Sequence, residues 1–596
     1  MLITLFGFVL RVIAARNIGM NPDDSNHAIR AIGALGSEKL VDWGQSTILW
    51  FYIENVFYKI FGTTQFGSRF VSVLFGSLMI ILMFLFVKKV FKSEKAALIS
   101  SFLIAVSPML IKGSLAEMDI IVSFFVLFGA YFMFSYLEHK SNKNLIFCAL
   151  FVGVAIMIKI YALFFALVFM GFLIYKELKS KEEGKNKRIF KKIFLFGIII
   201  FILVLPTLTH NYLLYKDKGF MDLIFTNTFK LGVDKAREFY EWDAGWMDTP
   251  QYGNFIFGGG FLRLVGHLFK GDPLLFIFGL FGLAFAFNKN RKYFLFFLLM
   301  FVPLFIYIGS REDYAMAKHL LWVFVIIAPV AGDFFNELLK KFKKIRLRYL
   351  FLIIALFSLF YLGVYDTTSQ THFYAQSSSG QLMSFKEKNI PDNALIVADS
   401  RIYRGRIHWE LNGKKYIESA QFFNIVNELN TKGNLQSIDV YYIECVADDC
   451  GWGTVGGQPE FNKSMEEINL WFANRSFYSE EISEPDRRKS YFPIISEKEE
   501  NYRIYKLNLM LNPEILSVVK QMQNWFLYPI GYDEKIAPIF DKYSTRGVDI
   551  AIDKFALLVL YFELIFSFFA IFYIAYLFLR QEQDKSEEKD EEQEET

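Results

Sequence analysis

The chain has 596 residues with 64 Lys+Arg against 61 Asp+Glu (net +3), 54% hydrophobic and 18% aromatic residues, 69 Phe, 14 Pro and 3 Cys. This composition excludes intrinsic disorder, collagen-like sequence and a disulfide-rich scaffold. The apolar residues stand in long blocks, which excludes an ordinary soluble protein, and the near-neutral total averages segments of opposite charge, so nothing in it points to nucleic acid.

A spanning helix needs about 20 mostly apolar residues. On that rule spans are expected near 1–16, 67–87, 96–112, 118–137, 145–158, 160–177, 193–209, 273–288, 293–309, 317–338, 349–365 and 551–579. The block 145–177 is divided at Lys159, because a lysine at mid-bilayer is costly and belongs at an interface. With the N-terminus inside, the basic loops (Lys88 to Lys95, Lys140 and Lys143, 179–192, Lys289 to Lys292, 340–348) all face the same side, as the positive-inside rule requires. Joining 145–177 into one helix would invert every later loop. The expectation is therefore about twelve transmembrane helices with both termini cytoplasmic, in the plasma or inner membrane. Residues 1–16 lack a basic stretch before their apolar run and contain Arg11, so they are expected to be a first span rather than a cleaved signal.

Three long loops then lie outside: 17–66, 210–272 and 366–550. The last is large enough to be a domain. Its strand-like runs 394–397 and 440–445, with helical patterns near 417–430 and 463–474, predict a small extracytoplasmic α/β domain. The like-charge tail after Arg580 is expected to be disordered and cytoplasmic.

Ionisable residues at the outer ends of spans are the functional candidates. Directly after the first span comes Asn21-Pro22-Asp23-Asp24-Ser25-Asn26-His27. Adjacent carboxylates raise each other's pKa, so one can act as a general base while the other orients it; the same residues are also good helix-start chemistry. Glu117 and Asp119 flank one residue in a very short outer loop. Such a pair can bind a hard divalent cation, Mg or Mn, or simply cap a helix. Arg69, Lys159, Arg311, Lys318 and His319 stand on the same side, where cations suit a lipid phosphate or snorkel to headgroups of membrane lipids. Cys445 and Cys450 are close enough in sequence to form a disulfide in an oxidising compartment.

The order of these elements resembles the GT-C superfold of glycosyltransferases, in the branch that holds the protein O-mannosyltransferases and the lipid A aminoarabinose transferase. The likeness covers about residues 1–340. It runs through the acid pair Asp23-Asp24, then Ile60-Phe61-Gly62 and Ser68-Arg69-Phe70, then Glu117 or Asp119, then Gly153-Val154-Ala155 with Lys159, and finally Lys318-His319-Leu320-Leu321. The second acid is Asp where the branch has Glu, Gln45-Ser46 stands where it has Pro-Pro, and Lys318-His319 replaces Arg-Tyr. These departures leave the donor sugar and the phosphate ligands open.

The resemblance implies a polyprenyl-phosphate sugar donor and a protein, lipid or glycan acceptor. It implies Asp23 as the base on the acceptor hydroxyl, supported by Asp24, and Arg69, Lys159, Arg311, Lys318 and His319 around the donor phosphate. His27, Trp242, Asp243 and Trp246 are acceptor candidates. Glu241-Trp242-Asp243-Ala244-Gly245 partly echoes the signature of oligosaccharyltransferases, an alternative class, but it lies in a membrane-domain loop. A transporter or flippase would instead place charges at the bilayer midplane and show internal repeats, and an assembly factor would have no use for converging acids.

Overall fold

The structure, a computed structural model, describes residues 1–18, 20, 22–32, 34–36, 48–115, 117–179, 185–240, 259–310, 317–341, 353, 357, 360–361, 364–365, 378–402, 404–446, 459–483, 502–523 and 547–594. The chain divides into two compact units. One comprises Met1–Ala15, Ala34–Thr367 and Ile539–Thr596; the other comprises Arg16–Gly33 and Thr368–Pro538. The short stretch after the first helix thus groups with the outer domain, which the sequence alone had bounded at 366–550.

The first unit is a helical membrane domain. Among the described residues seven helices are long and apolar enough to cross a membrane, and Gly260–Gly271 with Pro273–Lys289, bent by 115°, make an eighth candidate. Helix ends follow local chemistry. The Gln65–Phe91 helix ends at Lys92 in the left-handed region (φ 52°), and Ser93 at once caps Glu94–Val106 by accepting from the Ala96 N–H. Lys140 (φ 53°) and Ser141 also join Met118–His139 to Asn142–Ile158 in two residues, without a side-chain cap from Ser141. The helix breaks at Lys159, which is extended (φ −154°), before a short 3-10 turn and the Leu163–Leu178 helix.

The expected span 96–112 is interrupted. Ser107 is extended ahead of Pro108, and only the short Pro108–Ile111 helix follows. A proline lacks the N–H needed to continue the ladder and pushes its predecessor out of the helical region. The Ser107 hydroxyl donates to Asp272 Oδ2 (2.6 Å), and Asp272 also caps the Pro273–Lys289 helix at Leu275. The helix at the expected span 193–209 extends beyond that apolar run at both ends, over Lys185–Lys218. Of the span near 349–365 only isolated helical positions are described; Phe360 stacks on Phe6 at 5.1 Å. The C-terminal helix runs Gly547–Glu594, so the acidic tail continues it as helix where disorder was expected. An anchored helix has already met its nucleation cost, and Glu, Gln and Lys propagate it well.

Helices approach closely where glycines allow it. A Cβ at Gly332 would meet the Ser100 hydroxyl and lie 2.7 Å from the Ala96 carbonyl oxygen, which brings Leu321–Lys341 against Glu94–Val106, as small residues do in membranes. Phenylalanines fill the rest: Phe128 stacks on Phe151 at 4.1 Å, and Phe147 on Tyr573 of the C-terminal helix at 5.6 Å. The apolar stretch of Met118–His139 is wholly buried within this unit, whereas only 17% of the apolar stretch of Asn186–Lys216 is. The central helix therefore carries Glu117 and Asp119 at one end.

The second unit is α/β. Strands β1 (Leu395–Ala398), β2 (Lys415–Glu418), β3 (Gln436–Cys445), β4 (Tyr478–Ile482) and β5 (Tyr502–Leu511) form one sheet in the order β2-β1-β3-β5-β4. β1 is parallel to β2 and β3, and β5 is antiparallel to β3 and β4. Alternation sends Ile396 and Ala398 into one core and Leu395 and Val397 into the other, so helices cover both faces. At the end of β1, Asp399 holds Arg401 (2.6 Å) and accepts from the Cys445 N–H (3.1 Å). Cys445 is disulfide-bonded, Cys148 is free and buried, and Cys450 lies outside the described residues.

Candidate active site

The membrane unit brings four of the expected side chains together. Glu117 is the extended residue just before the Met118–His139 helix, and Asp119 sits in its first turn, where the positive end of the helix dipole favours a carboxylate. Asp119 is fully buried. Its Oδ2 accepts from Lys159 Nζ at 2.7 Å. Lys159 lies 5.5 Å over the Tyr161 ring, and both Tyr161 and His319 interact with Asp119. Glu117 Oε1 accepts from Lys318 Nζ at 2.8 Å, across 201 residues of sequence. Lys318 and His319 sit in the 3-10 turn Ala317–Leu320 that opens the Leu321–Lys341 helix. The Trp322 indole donates to the His319 carbonyl (2.9 Å) and packs on Phe165 (5.5 Å), which fixes that turn.

Glu117 and Asp119, expected as a candidate cation pair, are each paired with an ammonium group in this structure. Among the described residues no group of three His, Cys, Asp or Glu side chains gathers to hold a metal. What the cluster does is hold two ammonium groups, one histidine and one tyrosine in fixed positions at one end of the central helix. Ammonium groups carry three donors each and can engage several acceptors at once.

Arg69 is also fully buried and donates to the Ala15 carbonyl at 3.4 Å, beside Gln65, which donates to the same oxygen at 3.1 Å. Both side chains serve the open C-terminal end of the first helix. Arg11, noted in the sequence only as a charge within the first span, is buried and ties the Leu2–Asn17 helix to the Ile104 carbonyl (3.0 Å).

In the other unit, Asp23 and Asp24 lie in the Pro22–Arg30 helix, which packs on the Arg404–Glu410 helix. Asp24, Ser25 and His27 are buried there. The Asp23 side chain, Arg311, Trp242, Asp243 and Trp246 lie outside the described residues. Tyr161 was not singled out in the sequence; its signal was its place two residues after the helix break at Lys159.

A family model described as dolichyl-phosphate-mannose-protein mannosyltransferase matches residues 45–210. No curated protein matches the chain. Among solved structures, ArnT from Cupriavidus metallidurans bound to undecaprenyl phosphate is similar at a TM-score of 0.54 and 12% identity, over 84% of this chain and 97% of that one. The apo oligosaccharyltransferase of Archaeoglobus fulgidus is similar at a TM-score of 0.48 and 13% identity, over 75% of this chain and 69% of that one. The family match lies inside the membrane unit, and the likeness to ArnT shows that the two chains share a fold.

Proposed function

We propose that the protein transfers a monosaccharide from a polyprenyl-phosphate donor to a hydroxyl of a protein, lipid or glycan acceptor at the outer face of the membrane. The observation that carries the reading is the pair of ammonium groups, Lys159 and Lys318, held by Asp119 and Glu117 at one end of the central membrane helix. The leaving group of such a transfer is a phosphate, and fixed cations that meet developing negative charge lower the barrier. The family match and the ArnT structure with bound undecaprenyl phosphate support a lipid-phosphate donor. The basic loops on the opposite ends of the spans support an extracytoplasmic site.

In the proposed step Asp23 takes the proton of the acceptor hydroxyl. The hydroxyl oxygen forms a bond to the anomeric carbon from the face opposite the phosphate. The anomeric C–O bond to the phosphate breaks, and its electron pair leaves with the polyprenyl phosphate, so the anomeric configuration inverts. Lys159, Lys318 and His319 bind that phosphate, with Arg311 as a further ligand; Arg69 acts through the end of the first helix. His27, Trp242, Asp243 and Trp246 stand on the acceptor side.

The test is release of polyprenyl phosphate from polyprenyl-phosphate sugars by purified, reconstituted protein with cell-envelope extract as acceptor. Removing a general base costs about 10²–10⁴ in rate, so Asp23→Asn should lose that much while still binding donor. Undiminished release in Asp23→Asn removes the proposed base; no release by the wild-type protein from any such donor removes the function.

A further inference from the structure

The opposite end of the central helix carries a second charged cluster that transfer does not use. Asp119 and Glu138 are 19 residues apart on Met118–His139, about 29 Å at 1.5 Å per residue. Lys89 and Lys92, from the end of Gln65–Phe91, both bind Glu138 (3.1 and 2.9 Å). Lys192 binds Glu177 at 2.7 Å, with Arg188 at 3.7 Å. Lys292, at the start of Arg291–Gly309, lies 4.8 Å over the Phe134 ring, one turn before Glu138. Lys176, Lys89 and Lys92 repel it, and Glu138 attracts it. Among the described residues neither Lys292 nor Lys176 makes an ion pair. Among the described residues Lys89 and Lys92 share the Glu138 carboxylate, and Lys292 faces three other lysines.

That excess is built on a packed floor. Phe134 contacts Phe172 (6.1 Å) and Phe296 (5.3 Å), so three spans meet beneath Lys292. Tyr175, Phe190 and Phe194 are exposed on the neighbouring helices at the same end. The surface therefore offers clustered positive charge at a span end with apolar side chains beside it. A free anion would match only the charge, whereas a lipid phosphate matches both. Two phosphates suit two centres of cations, Lys292 with Lys176 and Lys89 with Lys92, better than one.

We propose that Lys292, Lys176, Lys89 and Lys92 form a binding site for the diphosphate headgroup of an anionic bilayer lipid, at the membrane end opposite Glu117 and Asp119. The lipid completes the charge balance of the cluster and ties three spans together.

Thermal unfolding of the full-length protein in neutral detergent tests this, with added cardiolipin, phosphatidylglycerol, phosphatidylcholine or inorganic pyrophosphate. Cardiolipin should raise the midpoint more than phosphatidylglycerol, and phosphatidylcholine should not raise it. In Lys292→Gln the half-saturating cardiolipin concentration should rise about fivefold, the worth of one lysine near a lipid surface, and Lys292→Arg should restore it. Lys176→Gln, at an exposed position, gives the same reading if Lys292→Gln does not fold. Lys341→Gln, outside the cluster, should behave as wild type. Equal cardiolipin titrations in wild type, Lys292→Gln and Lys176→Gln overturn the site. Stabilisation by pyrophosphate equal to that by cardiolipin overturns the lipid as its occupant.

Discussion

The Asp119–Lys159 pair can be tested as a unit. At 2.7 Å two unit charges attract by about 6 kcal/mol at an effective dielectric of about 20. Most of that offsets the desolvation of a fully buried carboxylate and a lysine side chain only 16% exposed. The remainder expected for a hydrogen bond between charged groups is about 1.5–3 kcal/mol, or about 10- to 150-fold in a rate constant. If Asp119 acts by aiming Lys159 at the donor phosphate, Asp119→Asn and Lys159→Gln should each lower kcat/KM by a factor in that range. The double variant should be no worse than the weaker single one, because both changes remove the same aimed ammonium. Lys159→Arg should recover part of the loss, since it keeps a cation opposite the carboxylate. The assay is the initial rate of polyprenyl phosphate release, with thermal midpoints measured in parallel to separate loss of fold from loss of rate. Losses that multiply in the double variant would refute the coupling and leave the two residues with independent roles.

Two further outcomes follow from buried groups elsewhere. Glu563, within the C-terminal membrane helix, is fully buried, and neither carboxyl oxygen has a hydrogen-bond partner among the described residues; Glu563→Leu should therefore stabilise the protein by about 1–3 kcal/mol, and a lower melting midpoint would show that the carboxyl has a role in the fold. In the α/β unit, burial pushes the Glu410 carboxyl above its usual range despite Arg406, 3.1 Å away. The folded state then holds the Glu410 proton more tightly than the unfolded state. Its stabilising contribution is complete below the ordinary carboxylate pKa and fades as pH rises through the raised value. Melting midpoints should fall over that window in the wild type and fall less in Glu410→Gln; identical slopes would rule Glu410 out as the source.

Much of the membrane domain was legible because hydrocarbon is an unforgiving solvent. The helix break at Lys159 follows from the cost of a charge at mid-bilayer, and the positions of Glu117, Asp119, Lys318 and His319 at span ends follow from the same rule. The interruption at Ser107–Pro108 was equally present in the sequence, but the apolar run on both sides masked it. Lateral partners were not legible. Hydropathy says how deep a residue lies, not which helix stands beside it, so the Glu117–Lys318 contact over 201 residues had no local signal. Arg69 shows the same gap: a cation opening a span suits a phosphate or a neighbouring helix end equally well, and only the packed helices bring the Ala15 carbonyl to it. The grouping of Arg16–Gly33 with the outer domain was likewise hidden, because it depends on where the Pro22–Arg30 helix packs.

The acid pair at 117 and 119 shows how local geometry sends two neighbouring carboxylates to different partners. Two carboxylates separated by one residue would converge on a cation only if the backbone turned both side chains to the same side. Here Glu117 is extended (φ −113°, ψ 134°) and the helix starts at Met118. Residues two apart do not face each other once the helix begins, so the two carboxylates point to different neighbours, Lys318 and Lys159. The two acids thus hold two separate ammonium groups, Lys318 and Lys159, each of which keeps donors that suit a phosphate oxygen.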